Sequence, residues 1–331
     1  MPAPTHWQHR NLKSRLLLPV ALLFAAIVSL RQLAWRHGLR RSRHPGVPVI
    51  VVGNITAGGT GKTPLVLWLV QFLQHKGMHP AIISRGYGAA RSDPRPVPAD
   101  GAPVDFGDEP CMMAQRASCP VWVGVDRAAT AETMRRAHPS IDVIISDDGL
   151  QHYRLARDFE IAVIDGARGL GNGWLLPAGP LREPPSRLAE VNAVVINGSD
   201  ASGTFSRALP MRLHGDRFRN LAQPQQVVTV AYFQDKPVHA AAGIGNPQRF
   251  FAHLRELGLK CAEHPFPDHH SFRATDLAFG DDAPVVMTEK DAVKCTAFAT
   301  TNHWALIVDA EVDGRLGDLI TARLSQTARH G

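Results

Sequence analysis

Short apolar runs alternate with longer segments of mixed polarity through the first two thirds of the chain. Runs of this length, bounded by turn-forming residues and separated by helix-like stretches, are typical of buried parallel strands joined by helices. They occupy residues 47–52, 80–84, 120–125, 141–146, 159–165 and 191–197. The pattern predicts a doubly wound α/β domain.

A second set of runs follows a polar stretch at residues 223–226. These runs occupy residues 227–232, 239–243, 284–288 and 305–308. They predict a second, smaller α/β domain, and we place the boundary at residue 224, giving segments 1–45, 46–224 and 225–331. Between the two sets, the proline-rich residues 176–187 predict a rigid loop.

The N-terminal segment contains an apolar run of a different kind. Residues 16–30 are apolar apart from Ser29 and have basic residues on both sides. Fifteen helical residues extend about 22 Å, less than the ~30 Å of a hydrocarbon core, so the run predicts either a spanning or an interfacial anchor. A buried core helix is the alternative, and a cleaved signal peptide fits less well because a strongly basic flank follows. If the helix spans, that flank places the rest of the chain in the cytoplasm.

The distribution of charge supports an anionic membrane surface as a partner. The 331-residue chain has 36 Lys and Arg and 30 Asp and Glu, and the first acidic residue is Asp93. Residues 1–92 hold 12 basic residues, so the remainder has 36 − 12 = 24 against 30 acidic ones, a net of −6. A basic excess confined to the N-terminus argues against nucleic acid as a ligand. The four cysteines lack paired spacing, which predicts reduced thiols.

A glycine-rich loop joins the first predicted strand to a helix-like run at residues 64–74. Such a loop presents backbone N–H groups to phosphates, with Lys62 reaching the terminal phosphates and the Thr63 hydroxyl available to Mg²⁺. The predicted nucleotide-binding residues are Thr56, Ala57, Gly58, Gly59, Thr60, Gly61, Lys62 and Thr63. The usual first glycine is Thr56 here, and a turn without a ligand is the alternative. Ala57 stands where paired, dimerising ATPases carry lysine.

Acidic residues lie beside two of the predicted elements. Asp147 and Asp148 end the run at 141–146, at the sheet edge where ligands of α/β folds collect, and either or both could hold Mg²⁺. Turn or cap aspartates are the alternative. Asp108 and Glu109 precede another helical run, where Asp108 is either a helix cap or a functional carboxylate that serves as a base or lies beside the metal.

Three further positions are candidates for contact with an anionic substrate or for proton transfer. Arg85 follows the second strand, and Arg182 lies in the proline-rich loop. The sequence Asp268-His269-His270 lies in the predicted second domain, where a histidine could approach a phosphoryl acceptor. Surface histidines and unpaired loop arginines are the alternatives.

Together these segments resemble the tetraacyldisaccharide 4'-kinase family, the membrane-bound lipid A 4'-kinases of Gram-negative bacteria. The resemblance covers nearly the whole chain and rests on the N-terminal anchor and on residues 56–64, 84–88, 107–110, 146–152, 176–184, 242–251, 268–270 and 288–294. It implies two α/β domains with catalysis in the cleft between them. The implied reaction transfers the γ-phosphoryl group of ATP to a sugar hydroxyl of a lipid A precursor, at the cytoplasmic face of the inner membrane. Neither a nucleic acid nor an obligate protein partner is implied.

The resemblance also implies roles for individual residues. Lys62 would neutralise phosphate charge, while Thr63, Asp147 or Asp148, and Glu109 would position Mg²⁺. Asp108 would accept the hydroxyl proton with the help of His269, although spacing alone does not separate His269 from His270. The lipid precursor would contact Arg85, His152 and Arg182.

Two other functions compete. Residues 288–291, Thr-Glu-Lys-Asp, faintly resemble the guanine-reading motif of GTPases, but the lysine is one position late. A non-catalytic membrane scaffold is the other, and it leaves the phosphate loop and the paired aspartates unexplained.

Overall fold

A single sheet of 13 strands runs through the part of the chain described by the computed structural model, residues 4–200 and 203–327. Its strands are β1 Val49–Gly53, β2 Pro80–Ser84, β3 Arg95–Pro96, β4 Val121–Val123, β5 Val143–Asp147, β6 Phe159–Asp165, β7 Ala193–Asn197, β8 Leu209–Asn220, β9 Val227–Thr229, β10 Val238–Ala242, β11 Cys261–Pro265, β12 Val285–Thr288 and β13 His303–Val312. The α-helices are α1 Leu12–Leu16, α2 Leu18–Arg36, α3 Lys62–His75, α4 Pro103–Phe106, α5 Asp108–Arg116, α6 Arg127–Ala137, α7 Pro247–Glu256, α8 Glu289–Cys295 and α9 Gly314–Thr327.

The strand order is β11-β10-β12-β13-β8-β7-β6-β1-β5-β2-β4-β3, with β9 paired to β8. Neighbours from β7 to β4 are parallel, as are β11, β10, β12 and β13, whereas β8 and β13 are antiparallel. The sheet is therefore mixed, in an α/β fold, which confirms the predicted α/β class. Every predicted run contributes to a strand, and the runs at 80–84 and 159–165 coincide with β2 and β6.

Helices cover both faces of the parallel part of the sheet because its strands are apolar on both sides. On β1, Ile50 and Val52 belong to the core that also holds α3, α5 and α9. Val49 and Val51 face the opposite core, to which α6 contributes Ala131. The carboxyl ends of β1, β2 and β5 lie together at one edge, where the candidate site forms.

The long strand β8 joins the two halves of the sheet. It is parallel to β7 over Leu209 to Met211 and antiparallel to β13 over nearly its whole length, with a register irregularity between Ile307 and Asp309. The predicted boundary at residue 224 falls in the turn between β8 and β9. The sheet itself therefore runs without a break past this position, and the division into two domains stays a prediction.

Helix α2 continues past residue 30, where the predicted apolar run ends. Its 19 residues end at Arg36, and by length and composition alone it could cross a membrane. Large apolar side chains are exposed along it, among them Leu22, Leu23 and Leu30. Its last two turns are tied to the folded chain, since Gln32 donates to Tyr153 Oη and Glu183 Oε1, each at 3.2 Å. The predicted N-terminal apolar helix is confirmed. All four cysteines are free, as predicted.

Candidate active site

The glycine-rich loop leaves β1 and enters α3 through a backbone shape that needs glycine. Gly61 is the residue before α3 and has φ +89°, the left-handed region. A Cβ at this position would lie 2.6 Å from Nδ2 of Asn197, which donates to the Thr60 carbonyl at 3.1 Å. The loop is thus packed against β7 from behind. Its other side opens on a cavity of about 1300 Å³.

The proline-rich loop holds the glycine loop in place. Ala57 N–H donates to the Pro180 carbonyl at 2.8 Å, and Arg182 N–H donates to the Ile55 carbonyl at 2.7 Å. Arg168 adds a hydrogen bond to the Gly59 carbonyl. The sequence predicted two separate loops, whereas the structure pairs them through main-chain hydrogen bonds.

Lys62, Asp148 and Arg182 form a charged group on the cavity wall. Lys62 Nζ lies 3.4 Å from Asp148 Oδ1, and Arg182 Nη1 lies 3.1 Å from Asp148 Oδ2. Burial opposes ionisation of Asp148, but the two cations outweigh it and lower its pKa to about 2. Asp148 is therefore a fixed negative charge between two cations. Its φ of +47° is unusual for a residue with a side chain.

Asp147 lies in a different environment from its neighbour. It is buried, and Oδ2 accepts a hydrogen bond from Ser84 Oγ at 3.1 Å. Burial, together with the carboxylates of Glu109 and Asp148, raises its pKa well above the usual range. Its Oδ1 is buried and has no hydrogen-bond partner among the described residues. An unpaired buried carboxylate oxygen near two other carboxylates favours a bound cation.

Asp108 and His269 meet across the cavity. Asp108 Oδ2 and His269 Nδ1 are 3.0 Å apart, although the two residues are 161 positions apart in the chain. Asp108 is the first residue of α5, and the residue before the helix is Gly107, so the alternative reading of Asp108 as the helix cap is wrong. His270 instead points to Asp276, 3.0 Å from its Nε2. The structure thus brings His269, and not His270, to the candidate carboxylate.

The remaining candidates line the same cavity. Glu109 Oε1 lies 3.7 Å from Lys290 Nζ, and Arg85 and His152 are also part of the wall. Burial, and then the nearby Arg127 and Arg85, lower the pKa of His152 to about 4, so its imidazole is neutral at physiological pH.

The guanine-reading alternative conflicts with the position of Asp291. This residue is fully buried, and its Oδ2 accepts hydrogen bonds from Gly243 N–H and Thr288 Oγ1. A guanine-reading aspartate has to reach the base, whereas the carboxylate of Asp291 is bonded to the main chain of Gly243 and the side chain of Thr288.

Several residues of the site carried no sequence pattern that singled them out. Asn54 Oδ1 lies 3.3 Å from Lys62 Nζ, and the buried Arg127 donates to the Asp147 carbonyl at 3.0 Å. Lys290 and Lys294 come from α8, whose start could have been found from Thr288 and Asp291, a helix-capping pair three residues apart. The residues missed are Asn54, Arg127, Arg168, Asn197 and Lys294.

Residues 13–325 match the family described as tetraacyldisaccharide-1-P 4'-kinase. The chain belongs to this family. The match confirms the family and the enzyme class that the motifs predict.

Individual relatives agree with the assignment. The tetraacyldisaccharide 4'-kinase of Azoarcus sp. (strain BH72) is 49% identical over 325 residues, covering 97% of this chain and 95% of the relative. The tetraacyldisaccharide 4'-kinase of Methylobacillus flagellatus is 50% identical over 312 residues, covering 94% and 92%. A solved structure, LpxK from Aquifex aeolicus in complex with ATP, is 28% identical and superposes with a TM-score of 0.81 over 95% of this chain and all of that one.

Proposed function

We propose that this chain is an ATP-dependent kinase that transfers the γ-phosphoryl group to the 4'-hydroxyl of the tetraacyldisaccharide 1-phosphate precursor of lipid A, forming lipid IVA and ADP. The observation that carries the proposal is the contact between Asp108 and His269 in the same cavity as Lys62. Family membership and the kinase names of the relatives support it.

The glycine-rich loop is the proposed site of the ATP phosphates, in a P-loop arrangement. The loop precedes a helix N-terminus, where backbone N–H groups and the helix dipole favour anions. Lys62 is paired to Asp148 and close to Asn54, so its ammonium is already directed into the cavity. The solved structure of LpxK from Aquifex aeolicus contains ATP, which supports ATP as the nucleotide.

The acidic edge of the cavity is the proposed magnesium site. Thr63, Glu109, Asp147 and Asp148 would hold the ion, and the unpaired Oδ1 of Asp147 fits it. No three His, Cys, Asp or Glu side chains form a ready metal cage within residues 4–200 and 203–327. Mg²⁺ bound to a nucleotide takes few protein ligands, so phosphate and water oxygens would complete its shell. When bound, the ion would neutralise charge on the phosphate oxygens.

Asp108 is the proposed general base. Its carboxylate would accept the proton of the sugar hydroxyl as the hydroxyl oxygen attacks the γ-phosphorus. His269 holds one carboxylate oxygen, which fixes the direction of the other. Because such reactions pass through a loose transition state, positioning and charge stabilisation provide most of the rate enhancement.

Arg85, His152 and Arg182 are proposed to contact the lipid precursor. Arg85 and Arg182 provide positive charge for a sugar phosphate, and neutral His152 is able to donate or accept a hydrogen bond. Phe24, Ile27 and Val28 of α2 also line the cavity, so apolar surface adjoins its polar part. A substrate with a phosphorylated sugar and acyl chains fits that combination.

Helix α2 is proposed to lie in the membrane interface at the cytoplasmic face. Gln32 in its last turns donates to Tyr153 and Glu183, and Trp7 Nε1, before the helix, donates to the Pro177 carbonyl, so the chain is held against the folded protein on both sides of α2, which suits a helix lying in the interface better than one that spans. Exposed leucines and flanking arginines suit a helix inserted among anionic lipid head groups. We also propose that residues 46–224 and 225–331 act as two domains closing over ATP and lipid.

The test is ATP-dependent phosphate transfer to the tetraacylated disaccharide 1-phosphate in detergent micelles, with Lys62→Ala as the control. We expect transfer by the wild type and its loss in the variant. Asp108→Ala should lower turnover much more than ATP affinity. A folded wild type that binds ATP without transferring phosphate would refute the proposal, and near-normal turnover in Asp108→Ala would refute the base assignment.

A further inference from the structure

The segment from Thr288 to Lys294 has no part in the reaction described above, yet it reaches the proposed base. It forms the end of β12 and most of α8, and the Thr288 side chain caps the helix by accepting from Asp291 N–H at 3.2 Å. Asp291 and Lys294 are three residues apart in α8, so they lie on the same face of the helix. That face is turned into the protein, because both side chains are at least nine-tenths buried.

Asp291 is rigidly held. Its Oδ2 accepts from Gly243 N–H at 2.9 Å and from Thr288 Oγ1 at 2.7 Å. Its Oδ1 lies 2.7 Å from Lys294 Nζ. The two groups form an ion pair, although the angles between them are not those of an aligned hydrogen bond. Asp291 therefore fixes the position of the lysine by ion pairing.

The ammonium group of Lys294 lies between this anchor and the proposed base. Nζ is 5.2 Å from the centre of the Phe272 ring and 3.9 Å from Oδ2 of Asp108. It has no hydrogen-bond acceptor among the described residues. A buried ammonium is unfavourable unless carboxylates compensate its charge, and here Asp291 and Asp108 do so from two sides. The lysine consequently attracts the carboxylate of Asp108.

We propose that Lys294 is a positioning residue for Asp108, acting together with His269. Both contacts fall on Oδ2, and within residues 4–200 and 203–327 the other oxygen, Oδ1, makes no hydrogen bond or ion pair. Oδ1 is then the atom that takes the proton from the sugar hydroxyl, while the hydroxyl oxygen bonds to the γ-phosphorus. The bond from that phosphorus to the bridging oxygen breaks, and ADP leaves with the electron pair. This inference rests on the proposed kinase function.

The first test compares steady-state kinetics of Lys294→Met and Lys294→Arg with the wild type. We expect Lys294→Met to lower kcat about ten- to a hundred-fold, part of the ~10²–10⁴-fold that a general base contributes. The KM values for ATP and for the lipid should stay within about two-fold, because Lys294 contacts neither in this arrangement. Lys294→Arg keeps the charge and should restore most of kcat. Lys76→Met is the control for the loss of a lysine over an aromatic ring, since Lys76 lies over Phe72 at the C-terminal end of α3, the end opposite to Lys62.

A double-mutant cycle with Asp108→Asn tests whether Lys294 acts through Asp108. In the Asp108→Asn background, adding Lys294→Met should change the residual rate less than two-fold, since the group it positions is already lost. An equal loss in both backgrounds, or a normal kcat in Lys294→Met, would overturn the inference. If Lys294→Met shows no cooperative thermal unfolding transition and is therefore not folded, Lys294→Gln replaces it with the same expectations. Failure of the wild type to phosphorylate the lipid would instead refute the kinase proposal itself.

Discussion

Arg116 joins the helix that begins with Asp108 to the second half of the sheet, and removing it should destabilise the protein measurably. Its Nη1 lies 2.7 Å and 2.6 Å from the two carboxylate oxygens of Glu289, and its Nη2 contacts Asp309. The side chains of Arg116 and Glu289 are only 11% and 5% exposed. In the variant Arg116→Met, Glu289 would remain buried without its main cation.

The size of the effect follows from what remains around Glu289. Breaking a buried ion pair by removing one partner costs about 3–5 kcal/mol. Arg219 stays at 3.8 Å and Val308 N–H at 3.2 Å, so we expect the lower end, about 3 kcal/mol. With an unfolding entropy of about 2.1 cal/mol/K per residue, a chain of 331 residues has about 0.7 kcal/mol/K, and Tm should fall by about 4 °C.

Thermal unfolding followed by circular dichroism measures this shift. The control is the double variant Arg116→Met with Glu289→Gln, which should lose less stability than the sum of the two single variants because the buried charge of Glu289, which Arg116 compensates, is then absent. A Tm within 1 °C of the wild type for Arg116→Met would show that the pair contributes nothing and that the reasoning from burial is wrong.

Three further predictions concern the loop, the histidine and the anchor. Gly61→Ala should weaken ATP binding about ten-fold or more in a titration, because alanine disfavours φ +89° and its Cβ would meet Asn197. Gly59→Ala is the control and should lose less affinity for ATP, because open space surrounds the added Cβ. The pKa of His152 is lowered to about 4, while an unfolded histidine titrates at ~6.5, so between these values the unfolded chain binds one more proton and the free energy of unfolding decreases as the pH falls. In denaturant titrations His152→Gln should lose less stability over that range. An unchanged dependence of stability on pH in the variant would contradict this. Leu23→Glu, on the exposed part of α2, should reduce flotation with anionic vesicles several-fold, and unchanged flotation would remove α2 from the contact.

Much of the fold was readable from the sequence because buried parallel strands are continuous apolar runs. The strands that were missed lack this feature. Strand β8 contains a proline and four charged residues, and its side chains alternate between buried and exposed along much of its length. Strand β11, Cys-Ala-Glu-His-Pro, is at the edge of the sheet and has no fully buried residue. Edge and bridging strands are specified by their partners, which a local pattern does not contain.

The candidate site was readable where a residue's role depends on its neighbours in the chain. The glycine loop and the aspartates after β5 are of this kind. The contact of Asp108 with His269 was inferred from family resemblance, since the two residues lie on opposite sides of the cavity and no spacing rule links them. The supporting shell of Arg127, Asn197 and Lys294 depends on tertiary packing, so single residues of common types gave no pattern to find.

The shared strand β8 determines what kind of motion is open to this enzyme. A chain whose halves are joined by a flexible tether can swing about it almost freely, but here the halves are joined through rows of main-chain hydrogen bonds to β7 and β13. Any change in the width of the cleft must therefore twist the continuous sheet. The irregular pairing between Ile307 and Asp309 interrupts the ladder beside Gly215, a residue without a side chain that also lines the cavity. Because the hydrogen-bond ladder is interrupted there, we expect any bending of the sheet to be concentrated at this point.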